Sequence, residues 1–372
     1  MKIAIQAADL DNKRIDGTRV YLLNVLKYLG KISPEDEFII YHKNNFNPEL
    51  VPPDFPNYQV KKLKFFKLWT QTRLAWNIWK DKVDILWMPM HNIPLLRRKN
   101  LKTVVTIHDL AFKQFPHTFP KRDLFQLNFL TDLAVKRADK IIAVSQSTKN
   151  DILKFYPQIK EDKIRVIYHG FDGDLYRKRF DIELMNEVLR KYHLKPKKYL
   201  LYVGAIQPRK NLITLVKSFE IFKKENENSI KLVIAGGKAW SWEETIKAIE
   251  TSSVKDSIIL TGRIPFEDLS ILQQNAAVFV FPSLYEGFGI PVLEAFAANV
   301  PVICARNSSL EEVGGEAVEY FESRDVKELA QKIFKVINNF GLQSEMIAKG
   351  RIQLNKFSWR KCAKETLEFI KE

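Results

Sequence analysis

The stretch YLLYVGAIQPRKNLITLVKSF, residues 199–219, decides the fold. A short run of apolar, β-favouring residues ends at Gly204, which allows a tight turn, and after Asn211 the apolar positions recur at helical spacing. A strand that hands over to a helix in this way is half of a βαβ unit, and the same rhythm extends in both directions. Upstream lie IAIQA (3–7), FIIYH (38–42), DILWM (84–88), TVVTI (103–107), KIIAV (140–144) and IRVIY (164–168). Downstream lie KLVIA (231–235), SIILT (257–261), AVFVF (277–281), PVICA (301–305) and AVEYF (317–321). Strands alternating with amphipathic helices predict parallel sheets. A charged, irregular stretch near 172–197 separates the two series, so the reading is α/β, with two Rossmann-like, doubly wound parallel-sheet domains over 1–185 and 186–355. Residues 356–372 close the chain as a helix that opens at Ser358 as N-cap, has no strand after it, and is expected to pack back toward the N-terminal domain.

Length and composition agree with two domains. At 372 residues the chain exceeds the size at which one core keeps growing. Hydrophobic residues make up 46% and charged residues 28%, with no apolar run long enough to span a bilayer. The opening MKIAIQAADL meets Asp9 too soon for a signal peptide, and Cys304 and Cys362 form neither a disulfide framework nor a metal cluster. A cytoplasmic protein is expected. The net charge is +15, and residues 1–190 hold 33 Lys and Arg against 22 Asp and Glu, so most of the excess lies in the first half. Such a balance favours nucleic acid, an anionic membrane or a phosphate-bearing substrate, without choosing among them.

In open α/β sheets ligands sit outside the carboxyl ends of the strands, so the residues just after each strand matter most. Arg209 and Lys210 follow strand 199–203 and sit where the next helix begins, with Asn211 as its N-cap. Two cations at a positive helix end repel unless an anion joins them, and a diphosphate would resolve the conflict. The plain alternative is a solvated pair on a loop. After strand 277–281 comes PSLYEGFGIPVLEA (282–295), in which Gly287 and Gly289 allow close backbone approach. Pro291 suits a first helical turn, and the amides of Phe288, Gly289 and Ile290 suit sugar hydroxyls or phosphate. Glu286 and Glu294 could each hold paired hydroxyls, one on a hexose and the other on a ribose. The bland readings are an exposed loop charge for Glu286 and a dipole-favoured helix charge for Glu294.

Strand 103–107 ends in His108–Asp109. His108 could donate a hydrogen bond to a sugar, or be a partly buried histidine beside an Asp109 that merely caps the next helix. The loop after strand 3–7 leads to Gly17 and Thr18, which open an amphipathic helix; it is not GxGxxG, which weakens a nicotinamide-dehydrogenase reading. The segment KKLKFFKLWTQTRLAWNIWKDK (61–82) mixes lysines with aromatics. It could lie on an anionic membrane or pack as a helix; Trp69, Arg73, Trp76 and Lys80 at helical spacing mix charge into the apolar stripe and fit neither account cleanly, and packing is favoured because amphipathic helices usually face their own core.

Taken together, TIHDL (106–110), VSQSTKNDI (144–152), VIYHGFD (166–172), YVGAIQPRKN (202–211), PSLYEGFGIPVLEA (282–295) and SSLEEVGG (308–315) resemble glycosyltransferase family 4, the retaining enzymes with the GT-B fold. The resemblance runs from the first strand to the last helix. It implies two domains facing a central cleft, with the acceptor on the N-terminal side and the nucleotide-sugar donor on the C-terminal side. Arg209 and Lys210 would bind the donor diphosphate and stabilise the leaving group; Glu286 would contact the transferred sugar and Glu294 the ribose. The Phe288, Gly289 and Ile290 amides would meet hydroxyls or phosphate, His108 would sit near the reacting sugar, and Gly262 and Arg263 would line the nucleobase pocket. Gly204 belongs to the same donor loop, and Gly17 matches the first glycine of the family's N-terminal loop. That loop often reads GIGRY, and here GTRVY places Arg19 where a second glycine is common, so Arg19 could itself bind an anion. In SSLEEV, Glu311 stands where proline is frequent.

The implied reaction is hexose transfer, mannose first, from a GDP- or UDP-linked donor to a glycan or lipid-linked acceptor, with retention, no cofactor and no obligatory metal. Peripheral contact with the inner face of an anionic membrane fits the charge; nucleic acid is not expected as a partner. The rivals are a sugar-nucleotide epimerase or phosphorylase of the same fold, and a non-catalytic basic module binding nucleic acid or membrane.

Overall fold

A computed structural model describes residues 1–64, 66–225 and 229–372. The apolar runs become two all-parallel sheets. The first holds β1 (Lys2–Gln6), β2 (Glu37–His42), β3 (Tyr58–Lys62), β4 (Ile85–Met88), β5 (Lys102–Ile107), β6 (Lys140–Ala143) and β7 (Ile164–Val166), in the order β3-β2-β1-β4-β5-β6-β7. The second holds β8 (Tyr199–Val203), β9 (Lys231–Ala235), β10 (Ile258–Gly262), β11 (Val278–Phe281), β12 (Val302–Ala305) and β13 (Val318–Phe321), in the order β10-β9-β8-β11-β12-β13. Central strands such as β4, β11 and β12 are buried along their whole length, as helices on both faces of a parallel sheet require. The register pairs Ile5 of β1 with Ile40 and Trp87, and Phe279 of β11 with Leu201 and Val302.

The chain forms two units, Met1–Pro116 with Lys121–Gly170 and Phe357–Glu372, and His117–Pro120 with Phe171–Lys356. The handover therefore falls at Gly170–Phe171, ahead of the 185/186 division drawn from sequence. The reason is local: helices Gly173–Arg177 and Ile182–Lys191 bury Tyr176, Val188 and Leu189, and both helices pack on helix Phe266–Asn275 of the second unit. The terminal helix Trp359–Lys371, capped by the Ser358 hydroxyl, packs on helix Gly17–Ile32 in the first unit. Gly170 is essential to that docking, because a Cβ there would lie 2.1 Å from the Trp359 amide nitrogen.

Two expectations need correction. Strand β3 carries no apolar alternation, being a polar edge strand, and its last residues Lys61 and Lys62 begin the segment read from sequence as a helix. Within that segment Trp69 is buried, but Arg73, Trp76 and Lys80 are exposed, and the inward positions are Leu74, Ala75 and Ile78. A π-turn over Thr70–Leu74 inserts extra backbone per turn and rotates the phase before helix Ala75–Lys80 begins. Phe65 of this segment lies outside the described residues.

Candidate functional site

Strand order in the second sheet reverses between β8 and β11, and a doubly wound sheet opens its ligand crevice where its neighbouring loops part in this way. The loop after β8 carries Arg209 and Lys210 on a single 3-10 turn, Pro208–Lys210; the loop after β11 carries Glu286. Arg209 Nη1 donates to Glu286 Oε2 at 3.1 Å and to the Tyr285 carbonyl, while Lys210 Nζ donates to Glu286 Oε1. All three side chains are almost wholly enclosed, so neither a solvated pair nor an exposed loop charge describes them. Burial alone would raise the Glu286 carboxyl, but the Lys210 and Arg209 charges outweigh it and hold it at about 2. Glu286 is thus an ionised hydrogen-bond acceptor and not a proton donor at neutral pH.

Asn211 does not act as a simple cap. It takes a left-handed conformation (φ 56°), and its side-chain amide donates to the carbonyls of Pro282 and Ser323. One residue so ties three strand-end loops together and fixes the Arg209–Lys210 turn against the Glu286 loop. On the other side, Ile206 and Lys238 bridge in parallel, Ile206 N donates to the Gly237 carbonyl, and Ala239 N donates to that of Ile206. Gly236 makes this approach possible, since a Cβ there would sit 1.9 Å from the Gly204 carbonyl oxygen.

Gly289 caps helix Ile290–Ala297 at φ 119°, a conformation that favours glycine, and Pro291 lies in the first turn. The amides opening that helix have no acceptor within it. The loop is braced from below, where the Ser309 hydroxyl donates to the carbonyls of Glu286 and Phe288, and Glu286 N donates to Ser308 Oγ at 3.0 Å. Glu294, one turn along the helix, is partly buried; burial raises its carboxyl to about 7, against a hydrogen bond from the fully buried Tyr176 that lowers it, with Asp172 adding a further upward push. Gly262 ends β10 at φ 66°, with open space where a Cβ would be, and Arg263 beside it is exposed.

Gly17 and His108 belong to the first unit. Gly17 opens helix Gly17–Ile32 after the N-cap Asp16. Arg19 is already paired within this loop: its guanidinium donates to Asp16 Oδ2 and, at 3.2 Å, to the Asp9 carbonyl. His108 is buried, and Asp109 Oδ1 accepts from Ala111 N, although the N-cap of helix Ala111–Gln114 is Leu110 and not Asp109. His108 Nε2 lies 2.8 Å from the Pro89 carbonyl, which can only accept, so the ring proton is on Nε2 and Nδ1 is a bare acceptor without a partner among the described residues. That reverses the polarity expected from sequence: toward any hydroxyl, Nδ1 accepts. The His108 amide in turn donates to His91 Nε2 at 2.9 Å. His169 stacks on Tyr21, with ring centroids 4.6 Å apart, and lies 5.6 Å from His108. Burial lowers all three histidines, His91 to about 4.

Tyr176, His91 and His169 also belong to these surroundings, without having been singled out by the sequence pattern. The two histidines carry the same signal as His108, a position just beyond the carboxyl end of a strand, here β4 and β7. Tyr176 carries none, because it lies in the charged stretch between the two series of strands. Among the described residues no group of three or more His, Cys, Asp or Glu is placed to hold a metal ion, and no helix is long and apolar enough to cross a membrane.

Comparison with known proteins places this geometry in context. Residues 15–175 match the sequence family Glycosyltransferase Family 4, and residues 186–353 match Glycosyl transferases group 1. The chain is 26% identical over 372 residues to O-antigen chain mannosyltransferase B of Escherichia coli, covering 96% of each chain. It is 32% identical over 241 residues to the O-antigen chain mannosyltransferase RfbU of Salmonella typhimurium, covering 64% of this chain and 60% of that one. Among solved structures, sucrose-phosphate synthase from Thermosynechococcus elongatus superposes with a TM-score of 0.79 at 16% identity, covering 100% of this chain and 98% of that one. Anabaena HepE in complex with UDP and glucose gives 0.77 at 16% identity, covering 100% of each.

Proposed function

The chain is a glycosyltransferase of group 1, family 4, with the two-domain GT-B fold, and on that premise we propose that it transfers a hexose from a nucleotide-sugar donor with retention of configuration. The observation that carries the reading is the convergence of Arg209, Lys210 and Glu286 at the switch point of the second sheet. Two enclosed cationic side chains brought together at one strand-end crevice offer charged N–H donors to the oxygens of a diphosphate. As the bond from the sugar's anomeric carbon to the diphosphate breaks, the electron pair leaves on the phosphate oxygen. Arg209 and Lys210 oppose that growing charge without having to reorganise. Glu286, fixed in its ionised form, accepts from hydroxyls of the transferred hexose. Glu294 accepts from the ribose diol, and the amides at the start of helix Ile290–Ala297 donate to sugar or phosphate oxygens. The acceptor hydroxyl attacks from the face the diphosphate leaves, passing its proton to a departing phosphate oxygen, so no enzyme nucleophile is needed. In the N-terminal unit, His108 Nδ1 is an acceptor suited to a sugar hydroxyl.

Mannose from GDP-mannose is the first choice of donor, supported by the similarity to two O-antigen chain mannosyltransferases, and UDP-glucose is the second. A glycan or lipid-linked glycan is the acceptor, on the N-terminal unit. With two cationic side chains facing the diphosphate, the reaction needs no obligatory metal. The test is a thermal-shift series with GDP-, UDP-, ADP- and dTDP-sugars on the wild type, Glu294→Ala and Arg209→Ala/Lys210→Ala. Stabilisation by one nucleotide family, lost in both variants, supports the reading and names the base; no shift in folded protein with any nucleotide contradicts it.

A further inference from the structure

The segment on which membrane contact and core packing competed satisfies both demands at once. Trp69, Leu74, Ala75 and Ile78 meet the core's needs, so the apolar side chains left outside are surplus to folding. Leu68 is 74% exposed, Trp76 62% and Trp79 57%, and Phe66 is 52% exposed with the Arg73 guanidinium 5.6 Å from its ring centre. The two indoles lie together, with ring centres 6.0 Å apart. A second loop joins the same face. Gln71 Nε2 donates to the Ile93 carbonyl, Leu95 N donates to Gln71 Oε1 at 2.7 Å, and Asn92 donates to Thr70 Oγ1. These bonds hold Leu95 and Leu96, the latter 80% exposed, against the π-turn. Cations dominate the segment that carries these apolar side chains: residues 61–99 contain ten Lys and Arg against two Asp. Asp81 is already engaged by Lys61 at 2.8 Å and by the Tyr41 hydroxyl. Lys64, Lys67, Lys80 and Lys82 are exposed.

We propose that this face of the N-terminal unit, centred on Leu68, Trp76, Trp79 and Leu96, docks the protein on an anionic lipid bilayer. Indole rings with one polar edge are suited to the depth of lipid headgroups, and lysine stems lie along apolar surface while their ammonium groups reach anionic phosphates. The charge pattern decides against the other occupants. A second copy of this chain would bring the same cations into contact with these. A protein groove deep enough for both indoles would bury the flanking lysines, each of which would then need a carboxylate partner. A headgroup layer receives rings and cations together while leaving the charges hydrated. The proposal stands on this surface alone and does not depend on the donor site.

The test is flotation of the full chain with vesicles of phosphatidylglycerol mixed with phosphatidylcholine, or of phosphatidylcholine alone, at low and high salt. The wild type should float with the anionic vesicles, less at high salt. Lys64→Gln/Lys67→Gln should weaken binding about 25-fold, at about fivefold for each cation lost. Trp76→Ser/Trp79→Ser should weaken it about tenfold or more, as expected when buried apolar area anchors the contact. Lipids brominated in the acyl chains should quench wild-type tryptophan fluorescence and spare that of the Trp76→Ser/Trp79→Ser variant. Leu96→Asp, on the neighbouring loop, gives an independent loss of flotation. Nucleotide-sugar thermal shifts should be the same in all these variants, which separates failure at this surface from failure of the donor site. The proposal is overturned by absence of flotation with anionic vesicles, by equal flotation of the tryptophan variant, or by a wild-type dimer in ultracentrifugation that the same variant abolishes.

Discussion

Replacing Glu294 by Gln should make the C-terminal unit more stable while weakening its hold on a nucleotide. In the folded chain burial raises the Glu294 carboxyl from the ordinary 4.5 to about 7. Between those values the folded state keeps a proton that the unfolded state has released, so the group's contribution to stability falls as pH rises through the window and the full penalty applies above about pH 7. At 1.36 kcal/mol for each tenfold change, the gap corresponds to about 3 kcal/mol. Gln has the same shape, keeps an oxygen for the Tyr176 hydroxyl, and carries no charge to desolvate. Calorimetry of Glu294→Gln and wild type across the pH range should give melting temperatures about 6–12 °C apart above pH 7 for a domain of this size, converging below about pH 4.5. The amide offers one accepting oxygen and a donor where the carboxylate offers two acceptors to the diol, so nucleotide-sugar affinity should fall about 10–100-fold in the same protein. A variant no more stable than wild type above pH 7 would refute the reasoning, because it would mean that the carboxylate is solvated where the structure encloses it.

The N-terminal unit should respond to acid in the opposite sense. Burial keeps His91, His108 and His169 below their ordinary 6.5, so below that pH the unfolded chain takes up protons that the folded unit refuses, and stability present above about 6.5 is lost as pH falls toward the folded-state values. His169→Phe keeps the ring stack on Tyr21 and should reduce the acid slope of that unit's stability by about one proton, read from melting temperature against pH. Gly236→Ala should push the 204–206 loop away from its partner and so shift the Arg209–Lys210 turn, removing nucleotide-sugar thermal shifts while leaving the N-terminal unit's melting transition in place.

The fold is legible because each buried parallel strand writes itself as a short apolar run followed by a turn, and residues 199–211 and 277–289 place the two central loops of the second sheet by themselves. What escaped were features set by partners distant in sequence. β3 is recognisable only from its neighbour β2, because an edge strand need not be apolar. The π-turn at Thr70–Leu74 rotates a helical stripe that looks continuous on a 3.6-residue wheel, exchanging Trp76 for Leu74 and Ala75 on the inward face. In the site, Arg209, Lys210, Glu286 and Glu294 are visible as charges at strand ends, but the pairing that keeps Glu286 ionised and the burial that raises the Glu294 carboxyl are products of packing. Arg19 illustrates the same limit: its sequence position suggests an anion ligand, and only the placement of Asp9 and Asp16 shows that its charge is already engaged. Tyr176 reaches Glu294 from a stretch with no strand-end signal at all.

The most direct test is turnover. The nucleotide-sugar chosen by thermal shift is incubated in EDTA with wild-type protein and membrane-extracted lipid-linked glycans, and release of the nucleoside diphosphate is measured alongside Arg209→Ala/Lys210→Ala. Hexose transfer should be matched one for one by diphosphate release, unaffected by the chelator and slowed by at least about 10²–10³-fold in the double variant. Consumption of the donor without diphosphate release, or a double variant that turns over as fast as the wild type, would contradict this mechanism.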